Sequence, residues 1–122
     1  MGLLDKLFGK SIRQQKRTDA ENEPEHSVIL CFQYGLENLQ ALHDLEDTLE
    51  YVINRNAVGE YDGHEIATDY SAGFLYMYGP NAERLFKAVQ PTLSETDFMR
   101  GATAKLRFGP PGDGAKEIEV EL

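Results

Sequence analysis

Seven apolar residues between positions 36 and 53 (Leu36, Leu39, Leu42, Leu45, Leu49, Val52 and Ile53) recur mostly at spacings of three and four. That period gathers them on one side of a helix of about five turns. Glu37, Asp44, Glu46, Asp47 and Glu50 take the opposite side. So long an apolar stripe has to lie against another layer, and the flanking sequence offers strands. Residues 26–34 form a short apolar and aromatic run, in which Val28, Leu30, Phe32 and Tyr34 alternate with Ile29, Cys31 and Gln33. Both faces of that run are largely apolar, which suits a central strand.

Beyond the helix, residues 58–69 read as a second strand, 71–73 as a turn and 74–78 as a third strand. In the third, Phe74, Tyr76 and Tyr78 alternate with Leu75 and Met77. Gly79, Pro80 and Asn81 interrupt the pattern, and Asn81 is a good N-cap for a second helix over 82–89. Glu83 and Lys87 support it as an i,i+4 pair, and Pro91 is expected to end or bend it. Ala102, Ala104, Leu106 and Phe108 alternate with Thr103, Lys105 and Arg107 in a fourth strand. A loop over 109–114 precedes a last strand with Ile118, Val120 and Leu122 on one side and Glu117, Glu119 and Glu121 on the other. These two strands form a hairpin in which Lys105 and Arg107 can face the glutamates, although the acids also serve to protect an edge.

The order β-α-β-β-α-β with an added C-terminal strand predicts an α+β, ferredoxin-like fold: an antiparallel sheet with two helices on one face and the other face open. The segments GEYDGHEIA (59–67), LYMYGPNAERLF (75–86) and LRFGPP (106–111) resemble parts of small bacterial proteins with a ferredoxin-like layout. The resemblance spans residues 26–122 and implies that layout, with no activity and no catalytic residues attached. The domain therefore covers 26–122, and residues 1–25 precede it as a basic amphipathic segment followed by an acidic linker.

Charge is distributed unevenly. Twelve Lys and Arg against 21 Asp and Glu give a net charge of −9, which argues against phosphate-backbone binding. Yet residues 1–17 hold Lys6, Lys10, Arg13, Lys16 and Arg17 against Asp5 alone, with Leu3, Leu4, Leu7, Phe8 and Ile12 gathered on one side of a short helix. Such a segment suits docking to a partner or to a membrane surface. No run reaches the ~18–20 apolar residues of a membrane span, and the start lacks a signal-peptide pattern. The lone Cys31 cannot form an intramolecular disulfide and reads as a small apolar side chain in its strand. A cytoplasmic protein is expected.

The candidate chemistry is sparse. With regular alternation along strand two, Asp62, His64, Ile66 and Thr68 share one face with Glu60, so Asp62 or Glu65 beside His64 offers an acid–base pair. Neither CxxC, HExxH nor EF-hand spacing is present, so no metal and no cofactor is expected. His43 and Asp47, four apart on helix one, read as a surface ion pair. The aromatic strands lack the base-stacking signature of an RNA recognition motif, so nucleic acid is not an expected partner. A phosphate-cradling glycine loop is missing too, and Asn81 can satisfy the amides at the start of its own helix.

The sequence thus favours a non-enzymatic cytosolic protein-binding module, of immunity or adaptor type. It would meet a partner, or a second copy of itself, through an acidic helix face (Asp44, Glu46, Asp47, Glu50) and an aromatic sheet surface (Tyr76, Tyr78). The first alternative is a small enzyme using His64 with Asp62 or Glu65. The second is a peripheral membrane adaptor acting through residues 1–17.

Overall fold

The computed structural model describes residues 25–112 and 114–122. The expectations for residues 1–24, membrane contact included, lie outside the described residues. Five strands and two helices follow one another as β1 (His26–Gln33), α1 (Gln40–Asn56), β2 (Glu60–Ile66), β3 (Ala72–Gly79), α2 (Ala82–Ser94), β4 (Thr103–Phe108) and β5 (Lys116–Glu121). The strands form one antiparallel sheet in the order β2-β3-β1-β4-β5. This is the ferredoxin-like arrangement, extended by β5 along the β4 edge.

Side-chain alternation decides which face the helices cover. Val28, Leu30 and Phe32 of β1, Leu75 and Met77 of β3, and Ala104 and Leu106 of β4 all point the same way and are buried. Against them pack Leu42, Leu45, Leu49 and Ile53 of α1 and Leu85, Phe86, Val89 and Leu93 of α2. Each such aliphatic side chain contributes roughly 1.5–3 kcal/mol by leaving water. Phe74, Tyr76 and Tyr78 therefore point to the side without helices, a choice that alternation alone left open.

Several element ends differ from the sequence expectation, each for a local reason. The first helix starts at Gln40 rather than Leu36, because the chain first crosses from β1 through a loop pinned by Tyr34. The Tyr34 hydroxyl donates to the Asn38 carbonyl at 2.6 Å and accepts from the Leu42 amide at 3.3 Å. Leu36 is left exposed. At the other end Ala57 takes the left-handed conformation usually given to glycine, and the Val58 amide reaches back to the Ile53 carbonyl.

The second helix runs on through Pro91 to Ser94 instead of stopping there. Pro91 is exposed, so the Lys87 carbonyl it leaves without an amide donor is close to water, while the extra turn buries Leu93. Strand two is shorter than expected: Ala67 to Ser71 form a turn, with Tyr70 at a φ of 63° and the Ser71 amide held by the Asp69 carboxylate.

The register of β2 departs from regular alternation. Tyr61 lies opposite Met77 but Gly63 lies opposite Tyr76, so Asp62 is an extra residue in a bulge, with Gly63 at a φ of 117°. The bulge reverses the phase of the strand. Tyr61, His64 and Ile66 consequently face the helices, whereas Glu60 and Glu65 share the open face. The expected common face of Glu60, Asp62, His64 and Ile66 does not exist.

Candidate functional site

Two places on this scaffold gather chemistry, one on each side of the sheet. The first lies between α1 and β2. Helical spacing puts His43, Glu46 and Glu50 on the flank of α1 that overlooks β2, beside the apolar stripe of Leu42, Leu45 and Leu49. The bulge turns Tyr61 and His64 up to meet that flank. Tyr61 donates its hydroxyl hydrogen to Glu46 Oε2 at 2.5 Å, and His64 Nδ1 lies 2.7 Å from the same oxygen. The Glu46 side chain keeps only 14% of its surface exposed. The His43 ring sits alongside, its centroid 6.3 Å from that of His64.

The electrostatics follow from this contact. Burial disfavours the Glu46 carboxylate, but hydrogen bonds from His64 and Tyr61, with the charges of His64 and His43, outweigh it and hold its pKa below the usual range. The Glu46 hydrogen bond raises the pKa of His64, against a smaller opposing effect of burial. Burial, and then the neighbouring Glu46 charge, push the Tyr61 phenol well above its ordinary value. The arrangement is thus a carboxylate braced by a phenol and an imidazole. The imidazole does meet a carboxylate, but it is Glu46 of the helix, not Asp62 or Glu65. Asp62 is exposed in the bulge, and Glu65 accepts the Tyr76 hydroxyl at 2.6 Å on the far side of the sheet.

The second place is the open face of the sheet. Its rows are Glu60, Gly63 and Glu65 of β2; Tyr78, Tyr76 and Phe74 of β3; Ser27, Ile29, Cys31 and Gln33 of β1; Arg107, Lys105 and Thr103 of β4; and Glu117, Glu119 and Glu121 of β5. Phe74 and Tyr76 stack with centroids 6.3 Å apart, and Phe74 keeps 41% of its surface exposed. Cys31 lies directly between Phe74 and Thr103 and is exposed, so it is not the packed apolar residue its strand suggested. Lys105 stands opposite Glu119, and Arg107 opposite Glu117. Burial, and then the Glu65 hydrogen bond, raise the Tyr76 phenol above its ordinary range, and burial also raises that of Tyr78.

The remaining expected residues separate. Asp44, Asp47 and Glu50 are exposed on α1, with Asp44 accepting from Gln40 Nε2 at 2.8 Å. Glu46, grouped with them by sequence, is turned inward. The α1 acids and the Tyr76–Tyr78 surface lie on opposite sides of the sheet, so one flat partner cannot cover both. His26 serves the fold, because its Nδ1 accepts the Ala82 amide at 3.0 Å while Asn81 accepts from Arg84, so the start of α2 is already capped. A groove of about 730 Å³ runs between α1 and the end of α2 past Tyr34, Asp44, Thr48, Thr92, Glu95 and Phe98. His64 is not part of it. Among the described residues no three of His, Cys, Asp and Glu converge as a ligand set, and no helix is long and apolar enough to cross a membrane.

Sequence reasoning missed Glu46, Tyr61 and His43 as the companions of His64. The signal that could have found them is the bulge-prone Asp62-Gly63 pair, since one added residue swaps the faces of everything before it. No protein-family model matches the chain, and neither a curated protein nor a solved structure matches it.

Proposed function

We propose that this protein is a non-enzymatic, cytosolic binding module whose open sheet face receives a partner protein with an apolar centre and basic flanks. The observation that carries the reading is the stacked Phe74–Tyr76 pair, beside Ile29 and Cys31, on a face that neither helix covers. Aromatic residues of this kind supply large contact area at low entropic cost, and tyrosine tolerates a wet rim. Glu117, Glu119 and Glu121 along β5 and Glu65 on β2 outnumber Lys105 and Arg107 on the same face, and the chain as a whole carries −9. A cationic partner is therefore favoured, in encounter rate above all.

The α1 acids play no part in this reading. Full-length protein used as bait should retain its partner when Asp47 is replaced by Lys and lose it in Phe74→Glu. Retention by Phe74→Glu contradicts the proposal. Sedimentation of the bait alone distinguishes a second copy from a different protein as the occupant.

One observation favours a second reading, a small enzyme with His64 as its acid–base group: the 2.7 Å contact that ties His64 to Glu46. The groove between α1 and the end of α2 does not include His64, which is why this reading comes second. Turnover that is lost in His64→Gln while the sheet face is mutated without effect would reverse the ranking.

A further inference from the structure

The sheet-face reading makes no use of the paired imidazoles at α1 and β2. His64 is anchored through Nδ1, 2.7 Å from Glu46 Oε2, and Glu46 is itself fixed by Tyr61. With the Nδ1 proton donated to the carboxylate, Nε2 of His64 presents a lone pair. This is the outer-carboxylate arrangement that orients metal-binding histidines and raises their basicity. The His43 side chain is exposed and has no hydrogen-bond or ion-pair partner among the described residues. The two ring centroids are 6.3 Å apart and the planes are tilted by 45°. At metal–nitrogen distances of about 2.0–2.1 Å, two imidazoles on one ion hold their centroids roughly 5–6.5 Å apart as the angle at the metal opens from tetrahedral to linear. The observed 6.3 Å matches only the near-linear end, so a tetrahedral ion requires the exposed His43 ring to move inward by about 1 Å.

We propose that His43 and His64 together bind a divalent transition-metal ion of the zinc class, with Glu46 as the positioning residue behind His64. Water fills the other coordination positions. The ion takes the Nε2 lone pair, so any proton on that nitrogen leaves for solvent and binding strengthens as pH rises through the imidazole range. His26 does not compete, because its Nδ1 is occupied by the Ala82 amide at the start of α2.

The three histidines of the chain make the test direct, since ring nitrogen resonances of all three can be followed by NMR during a Zn²⁺ titration. The full-length chain carrying Cys31→Ser removes the thiol as a rival ligand. The His43 and His64 ring signals should shift together and saturate at one Zn²⁺ per chain, with His26 unmoved. His43→Ala, at an exposed helix position, should weaken binding by at least ~10-fold, and Glu46→Gln by about 10-fold. Unmoved His43 and His64 signals, a shift of only one of them, or an affinity unaffected by His43→Ala overturns the proposal. An affinity unchanged in Glu46→Gln alone removes the positioning role.

Discussion

Replacing Glu46 by Ala tests the contact between α1 and β2 most severely. The substitution leaves the Tyr61 hydroxyl and His64 Nδ1 without the oxygen they share. Hydrogen bonds to a charged group contribute roughly 1.5–3 kcal/mol each, and a buried donor left unpaired carries a cost of similar size. Glu46 keeps a little contact with water, and alanine is the better helix former by a few tenths of a kcal/mol, so the lower half of the range applies. The expected loss is about 2–4 kcal/mol. Urea unfolding reads it as a fall in midpoint of roughly 2 M, for a slope near 1.5 kcal/mol per molar. Asp47→Ala, one residue along but exposed, should stay within about 0.5 kcal/mol of the parent. A double-mutant cycle with Tyr61→Phe should show coupling, because the two changes remove the same bond. If Glu46→Ala unfolds within about 0.5 kcal/mol of the parent, the carboxylate is not held as described and the reasoning fails.

The pH dependence follows from the same pair. Glu46 has a lowered pKa in the folded protein, so its contribution is present above the ordinary carboxylate range and is lost as pH falls through the folded value. His64 has a raised pKa, so its contribution is complete below the ordinary imidazole range near 6.5 and is lost as pH rises through the folded value. The difference in urea midpoint between the parent and His64→Gln should therefore be largest at mildly acidic pH and shrink above neutrality; a difference that grows with alkalinity contradicts the assignment. Gly59→Ala should destabilise by about 2 kcal/mol or more in thermal melts, since its φ is 152° and an added Cβ would sit 2.1 Å from the Tyr78 carbonyl oxygen. A melting temperature equal to the parent's would count against the β2–β3 approach. Phe74→Glu should leave the melting temperature nearly unchanged while abolishing partner capture, because Phe74 belongs to the exposed face rather than the core.

Hydrophobic period carried most of the fold. The stripe of Leu42, Leu45, Leu49 and Ile53, and the alternation of Leu75 and Met77 with Phe74, Tyr76 and Tyr78, fix element types because burial has to be one-sided. Element ends were less legible, since Leu36 is apolar yet exposed, and Pro91 is tolerated where the following turn buries Leu93. The sheet-face aromatics were recognisable as candidates, but not their orientation. The Glu46 cluster was legible only through the bulge-prone Asp62-Gly63 pair: its members are 15 and 18 residues apart, and a single bulged residue decides whether His64 meets the helix or the open face. Similarly, Cys31 sits in an apolar run whose two faces look alike in sequence, and only pairing with Phe74 and Thr103 reveals which one is bare.

That position makes Cys31 a built-in reporter of the open face, as it is the only thiol in the chain. The most direct measurement is its alkylation rate in the native protein, alone and with the captured partner present. A partner seated on the sheet predicts prompt reaction of the isolated protein without denaturant and strong suppression in the complex. An equal rate in both states would mean that the partner binds elsewhere, and the account of this surface would be wrong.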